Sequence, residues 1–255
     1  MIIIGVDVET TGLEVDDEII EMGATLFDIE RSMVLASFGR IYKTNKWDKE
    51  LEDCHNIPLE VSSMMKMINE TNEDPWDTID GDLAKYVVAH NASHDFKYIT
   101  KLWPSFKKIP WLCTQHDIMH GDLIRNVTSK RLGHLAVDYG IPMTQWHRAL
   151  VDSEICARIA SLHNLDLAYA RKLLPKFKLS ASGGFIKDVK VILDKVPSVL
   201  IDNNKYRWDG ESKTWWKENL TSEQVEIDAE FIKNATKDCK QKWAFNLTKM
   251  DPPSY

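Results

Sequence analysis

The feature that most constrains this chain is its first thirteen residues, Met1-Ile-Ile-Ile-Gly-Val-Asp-Val-Glu-Thr-Thr-Gly-Leu13. Ile2, Ile3, Ile4, Val6 and Val8 read as a β-strand that is apolar on both faces and therefore buried. Asp7 and Glu9 interrupt that run. Side chains alternate along a strand, so residues two apart point the same way. Two like charges held together at the edge of an apolar core are costly unless something positive joins them. A hard divalent cation with oxygen ligands suits that role. An isolated Asp-x-Glu at a strand end also reads as two solvated acids, and further carboxylates downstream favour the first reading. Thr10-Thr11-Gly12 turns the chain, and a glycine there lets a ligand approach the main chain.

With 255 residues, 44% hydrophobic and 28% charged, the chain suits a globular protein of one large domain, or a medium one plus a small one. No apolar run approaches the ~20 residues that cross a bilayer, so no membrane partner is expected. No basic, then apolar, leader opens the sequence. Cys54, Cys113, Cys156 and Cys239 are far apart and form no C-x-x-C pair. A structural zinc or a disulfide framework is therefore not expected, and a cytoplasmic location fits. Net charge is −7 and uneven: residues 1–165 carry 16 Lys+Arg against 26 Asp+Glu, residues 166–255 carry 16 against 13. The acidic first part argues against a bulk-electrostatic DNA binder with a basic face. A nucleic-acid substrate stays open, because metal-binding carboxylates inflate the acidic count.

The remaining elements follow from period and punctuation. Glu18 to Phe27 reads as a second strand and Ser32 to Tyr42 as a third, joined by a hairpin turn at Asp28-Ile-Glu-Arg31. Trp47 to Asn56 reads as irregular. Pro58 opens a helix with Leu59, Val61, Met64, Met65 and Ile68 at helical spacing, the methionines filling core. Leu83 to Ala89 is a strand, Asn91 to Leu102 a helix, and Pro110 to Thr114 a short strand followed by a short helix ending near Gly121. Ser129 to Tyr139 and Ala149 to Leu162 are helices, the latter with Leu150, Ile155, Ile159 and Leu162 inward. A strand meander followed by strands alternating with helices makes an α/β fold: a mixed five-stranded sheet flanked by helices.

Two further acidic motifs lie at strand-to-helix or loop-to-helix junctions: His90-Asn-Ala-Ser-His-Asp95 and His147-Arg-Ala-Leu-Val-Asp152. Crevices outside strand C-termini are where α/β folds bind ligands. Asn91 reads equally as a helix cap and as a substrate contact. His90 and His94 read as packing or surface residues. Together Asp7, Glu9, Asp95 and Asp152 supply four oxygen ligands and His147 an imidazole, the equipment for two-metal phosphodiester hydrolysis.

These motifs, D-x-E-T-T-G-L, H-N-A-x-x-D and H-R-A-L-x-D in order, resemble those of the DEDDh (DnaQ-like) 3′–5′ exonucleases. That family includes the proofreading subunit of bacterial DNA polymerase III and ribonuclease T. The resemblance covers roughly residues 1–165 and implies an RNase H-like fold. It implies that Asp7, Glu9, Asp95 and Asp152 hold two divalent cations, Mg²⁺ or Mn²⁺. It implies that His147 takes the proton of the attacking water and that Thr10, Thr11, Gly12 and Leu13 contact the terminal nucleotide. The expected activity is removal of nucleoside 5′-monophosphates from 3′ ends of DNA, single-stranded or frayed. A 3′–5′ exoribonuclease and a non-catalytic nucleic-acid-binding or scaffold protein are the alternatives, and a DNA polymerase or another replication or repair protein is the expected partner. One departure stands out: the family's second motif commonly carries Phe before its Asp, where this chain has His94, with Phe96 after it. Histidine at 147 fits the His branch of the family.

Beyond this region, Leu165 to Leu174 continues as a helix, and Ser180-Ala-Ser-Gly-Gly184 reads as a linker, so residues 166–184 join two domains. Residues 185–255 read as a small α+β module: a helical stretch Phe185–Val196, a Trp-rich hairpin Tyr206–Lys217 with an Asp209-Gly210 turn, and a final helix opened by the capping box Thr221-Ser-Glu-Gln224. The hairpin mixes aromatics with Lys and Arg. That pattern suits either nucleic-acid stacking or the core of a small module, and a protein docking site is equally open.

Overall fold

In a computed structural model of the chain, β1 (Ile2–Thr10) lies at the centre of a five-stranded sheet with order β3-β2-β1-β4-β5. The structure describes all residues except 15, 48, 125, 126, 128, 146, 183–186, 203, 204, 236, 238–243 and 251–254. β2 (Ile19–Asp28) runs antiparallel to β1, and β3 (Met33–Ile41) antiparallel to β2. α1 (Lys49–His55), α2 (Leu59–Ser63) and α3 (Pro75–Thr78) follow. β4 (Tyr86–Ala89) then returns parallel to β1, α4 (Ala92–Leu102) crosses over, and β5 (Trp111–Cys113) adds parallel to β4. α5 (Leu132–Asp138), α6 (Ala149–Ser161) and α7 (Leu165–Leu173) complete the α/β part. All ten residues of β2 are buried, as expected for a strand covered on both faces.

Alternation along β1 divides the core. Ile4, Val6 and Val8 join Met22, Ala24, Leu26, Ile99, Phe106 and Trp111 on one face. Ile3 joins Phe27, Val88, Leu112, Cys156, Ala157 and Ala160 on the other. Each such aliphatic side chain contributes about 1.5–3 kcal/mol when fully buried. The second face is the one that carries Gly5, Asp7 and Glu9. On it α6 approaches unusually closely, because three adjacent strands present glycines. A Cβ on Gly5 would lie 2.0 Å from the Ser153 carbonyl oxygen, one on Gly23 2.2 Å from the Ala149 carbonyl, and one on Gly39 2.9 Å from Leu150. The facing stripe of α6 is correspondingly small: Ala149, Ser153, Cys156, Ala157 and Ala160, all buried. Ser153 Oγ shares a 2.9 Å hydrogen bond with Thr25 Oγ1, tying the helix to β2.

The chain forms two compact units, one of residues 1–118, 127–169 and 254–255, the other of residues 119–126 and 170–253. In the second unit β6 (Lys176–Ser182), α8 (Lys187–Leu193), α9 (Pro197–Asp202), β7 (Arg207–Asp209), β8 (Thr214–Leu220), α10 (Ser222–Ala235) and β9 (Ala244–Met250) build an antiparallel sheet with order β7-β8-β6-β9. Leu179, Leu193, Val196, Val199, Tyr206, Trp215, Leu220, Val225 and Ile232 form its core. A charged network is sealed inside it. Lys217 Nζ donates to Ser198 Oγ at 2.7 Å, while Asp228 accepts from Ser198 N and Oγ and from Tyr206 OH. Lys217, Ser198 and Asp228 are each at most 1% exposed.

Several local expectations are corrected. Residues 180–182 are the end of β6 rather than linker. Lys176-Phe-Lys-Leu-Ser-Ala-Ser182 alternates with period 2, a signal that its small polar residues disguise. β9 is an additional strand that the sequence does not announce. Lys49–His55 is helical within a stretch expected to be irregular. The helix opened at Pro58 stops at Ser63, and Met64 and Met65 are 79% and 38% exposed rather than core. The chain leaves helical geometry there to form the Lys43–Met67 bridge. After β5 come turns and a short 3₁₀ segment at His120–Asp122 in place of an α-helix. Leu162 is 50% exposed, because small residues and not leucines make the inner face of α6. The Asp28–Arg31 hairpin turn and the capping box hold as read: Gln224 N donates to Thr221 Oγ1 at 3.2 Å, and Thr221 N to Gln224 Oε1 at 2.9 Å. Gly183, Gly184, Phe185, Asn204 and Cys239 lie outside the described residues.

Candidate active site

The register of β1 on β2 sets the floor of the site. Asp7 stands opposite Gly23 and Glu9 opposite Glu21. Because Gly23 lets the first turn of α6 sit directly on the strand, Asp152 is brought down to the two carboxylates on β1. Asp152 is 7% exposed and lies in the first turn of α6, where the partial positive end of the helix favours an anion. His147 precedes the helix and is held in the left-handed region at φ 52°. That conformation is uncommon for a residue with a side chain, and it turns the imidazole toward the acids. One nitrogen of His147 and one oxygen each of Glu9 and Asp152 lie within 4.8 Å of one another.

Asp95 arrives from the opposite face. α4 belongs to the core cluster containing Ala92, Tyr98 and Ile99, yet its Asp95 is 2% exposed and touches β1 itself. The Val8 N–H donates to Asp95 Oδ1 at 3.1 Å. The pairing of β1 with β4 extends only to Gly5–Val88, so the Val8 amide is left for the carboxylate.

Burial and mutual repulsion dominate the electrostatics. Burial first, then the charges of Asp95, Glu9, Asp152 and Glu21, push the Asp7 carboxyl well above its ordinary range. Burial, then Asp152 and Glu21, push Glu9 up to about 8. Burial raises Asp95 to about 8 against the Val8 hydrogen bond, and burial with the Glu21 charge raises Asp152 to about 7. Carboxylates arranged this way are poised to exchange protons for a cation. An all-oxygen carboxylate donor set with one adjacent imidazole fits hard divalent ions such as Mg²⁺ or Mn²⁺.

The structure adds a support that the motifs do not reveal. Glu21 is 3% exposed and accepts from Arg148 Nε at 3.1 Å, Arg148 Nη2 at 2.9 Å and the Ala149 N–H at 3.0 Å. A carboxylate from β2 thus caps the start of α6 and clamps the residue between His147 and Ala149. The available signal is a lone Glu inside a strand otherwise apolar or small. Gly5 and Gly23, whose missing side chains admit α6, are the other unrecognised contributors.

The turn after β1 is also built from both sides. Thr10 Oγ1 donates to the Gly12 carbonyl at 2.6 Å, and Thr11 Oγ1 bridges Asp17 Oδ1 and the Glu18 N–H. A Cβ on Gly12 would lie 2.5 Å from Asp17 Oδ2. From α4, Tyr98 OH donates to the Glu14 carbonyl at 2.7 Å and Lys97 Nζ to the Leu13 carbonyl at 3.0 Å. The Leu13 side chain is left 80% exposed. Asn91 occupies the N-cap position of α4 at φ 63° without a side-chain capping bond, and its Oδ1 accepts from Ser93 Oγ at 3.4 Å. His90 Nδ1 bonds Thr114 Oγ1. His94 packs its ring on Tyr98 at 5.0 Å, whereas Phe96 packs edge-on to Trp111 at 5.2 Å. Phe96 therefore does not fill the place of His94.

The chain is similar in sequence and fold to known exonucleases. The RNase_T family model, described as an exonuclease, matches residues 4–160. DNA polymerase III subunit epsilon of Treponema pallidum (strain Nichols) is 26% identical over 168 residues, 60% of this chain and 72% of that protein. The nuclease domain of 3′hExo, a DEDDh family member solved bound to rAMP, superposes with a TM-score of 0.51 at 16% identity over 65% of this chain and 92% of that one. E. coli exonuclease I in complex with a dT13 oligonucleotide gives a TM-score of 0.52 at 14% identity over 69% of this chain and 48% of that one. The two solved structures share the fold, and the family match spans more than half of the chain: it belongs to the RNase T family of exonucleases.

Proposed function

We propose that this exonuclease removes nucleotides from single-stranded or frayed 3′ ends of DNA and releases nucleoside 5′-monophosphates, with two divalent cations as cofactors. The observation that carries the proposal is the convergence of Asp7, Glu9, Asp95 and Asp152 beside His147. Those four carboxylates would hold the cations. When bound, the cations supply a hydroxide nucleophile at neutral pH and take up charge on the departing 3′ oxygen. His147 is exposed and lies beside Glu9 and Asp152, where its imidazole accepts the proton of the attacking water. The Thr10–Leu13 turn, braced by Lys97 and Tyr98, receives the terminal nucleotide, and the protruding Leu13 side chain packs beside its base. Asn91, at the start of α4, contacts the substrate from the other side. DNA is favoured because a relative 26% identical to this chain is named as a DNA polymerase subunit, and that name also supports a polymerase as partner.

The test is incubation of the chain with a 5′-labelled single-stranded DNA and the matching RNA, in Mg²⁺, Mn²⁺ or EDTA, beside Asp7→Ala. A ladder shortening from the 3′ end, faster on DNA and abolished by EDTA and by the substitution, is the expected result. Faster shortening of the RNA would transfer the reading to an exoribonuclease. Binding without cleavage of either would refute a catalytic role.

A further inference from the structure

Within the second unit, the strands alternate so that one sheet face makes the core and the other does not. Leu179, Ala181, Trp215 and Lys217 point inward and are buried. Cross-strand partners share a face, so Arg207 on β7, Trp216 on β8, Ser180 on β6 and Asn246 on β9 form one row across all four strands of the outer face. Trp215 and Trp216 are thus adjacent in sequence and opposite in role. Trp215 stacks on Trp208 at 5.3 Å as core, whereas Trp216 is half-buried on the outside. The Trp216 indole is bracketed by two cations. Lys178 Nζ lies 4.4 Å and the Arg207 guanidinium carbon 5.3 Å from its ring centroid. Among the described residues, the acidic groups on this face are Asp209 and Glu218. Asp209 is engaged in the hairpin turn, where it accepts from the Glu211 N–H and Ser212 Oγ.

We propose that this face binds single-stranded nucleic acid: one base stacks on Trp216, and the flanking phosphates pair with Lys178 and Arg207. The proposal rests on the reading of the chain as a nucleic-acid enzyme and extends it to a second subsite, remote in sequence from the carboxylates. An indole offers a face to any base, and the two flexible cations that lie over the ring are displaced by that base onto the phosphates on either side of it. Ser180 and Asn246 continue the row with hydrogen-bonding groups for base edges or sugar. A neutral or apolar partner would leave both cations uncompensated, whereas a strand of nucleic acid supplies both the anions for Lys178 and Arg207 and a flat base for Trp216.

The test uses the full chain in EDTA, which prevents cleavage, and a fluorescein-labelled twelve-residue oligothymidylate read by anisotropy. Trp216→Ala is expected to weaken binding roughly 5- to 150-fold, and Trp216→Phe to restore most of it. Lys178→Gln with Arg207→Gln is expected to flatten the slope of log affinity against log salt by about 1.4, at ~0.7 per phosphate contact for a single strand. Hydrolysis of a dinucleotide, too short to engage a second subsite, is measured in parallel with Mg²⁺ and should not change in any of these variants. Unchanged oligonucleotide affinity in Trp216→Ala and in the double variant would overturn the proposal. If dinucleotide hydrolysis is absent from the unmodified chain while these binding effects persist, the exonuclease reading fails and the subsite stands.

Discussion

The carboxylate cluster makes a prediction that runs against intuition: removing a ligand should stabilise the metal-free protein. Asp95 is raised from 3.8 to about 8 in the fold. A folded-state value above the unfolded one means that ionisation opposes folding. The penalty is absent below pH ~4, grows by about 1.4 kcal/mol per pH unit above it, and is complete above pH ~8. At pH 7, roughly three units above the unfolded value, it amounts to about 4 kcal/mol. Asp95→Asn removes the titration, and its carbonyl oxygen still accepts the Val8 N–H that Asp95 holds at 3.1 Å. For a unit of this size 1 kcal/mol moves Tm by about 2–4 °C, so the gain at pH 7 is on the order of 8–16 °C. At pH 5 the penalty is only about 2 kcal/mol and the gain correspondingly smaller. Calorimetric scans in EDTA at pH 5, 7 and 9 measure the trend. Saturating Mg²⁺ should then raise the unmodified chain more than the variant, since binding to the native state alone adds about 2.7 kcal/mol at a hundredfold excess over Kd. A lower Tm for Asp95→Asn in EDTA, or a gain that does not grow from pH 5 to 7, would refute the view that burying the Asp95 carboxylate opposes folding in the absence of metal.

Four further outcomes follow from the geometry. Gly23→Ala places a methyl 2.2 Å from the Ala149 carbonyl, so it should displace α6, destabilise the first unit by roughly 1–3 kcal/mol and abolish most cleavage, read by denaturant titration and assay together. Glu21→Gln leaves the ligands in place but weakens the clamp on Arg148 and the Ala149 N–H, and should lower metal affinity or kcat roughly 10- to 100-fold. At limiting Mg²⁺, activity should rise with pH between about 6 and 9, because Asp152 and Glu9, raised to about 7 and 8, must lose protons to bind metal; excess Mg²⁺ should shift the profile to lower pH. Asp228→Ala strips the buried Lys217–Ser198–Tyr206 network of its anion. It should destabilise the second unit by about 3–5 kcal/mol, seen as an earlier thermal transition, while dinucleotide hydrolysis persists.

The carboxylates that cluster at the end of β1, the adjacent His147 and the Thr10–Leu13 turn all stand out in the sequence. They are short local patterns whose chemistry is unusual for their setting: carboxylates inside an apolar strand, and acids in the first turns of helices. The same holds for the mixed sheet, since β1 to β5 carry continuous or alternating apolar runs bounded by turn residues. What escapes a sequence reading is whatever depends on a neighbour. The exposed Met64 and Met65 have helical spacing, yet the helix ends before them because Lys43 and Met67 pair across the fold. β6 and β9 are strands by virtue of pairing with each other, through residues whose own preferences are weak.

The sequence alone therefore determined which chemical groups are available at the site, because residue type and spacing dictate which groups can ligate, donate or accept. Tertiary structure decided where those groups stand. Asp7 and Asp152 are separated by more than half of the chain and meet because Gly5 and Gly23 lack side chains, allowing a helix backbone to rest on a sheet. Glu21 becomes a clamp only when Arg148 arrives opposite it, and Trp216 faces outward rather than into the core only through the register of β8 on β6 and β7. Close approach and register are properties of pairs of segments, and no single segment encodes them.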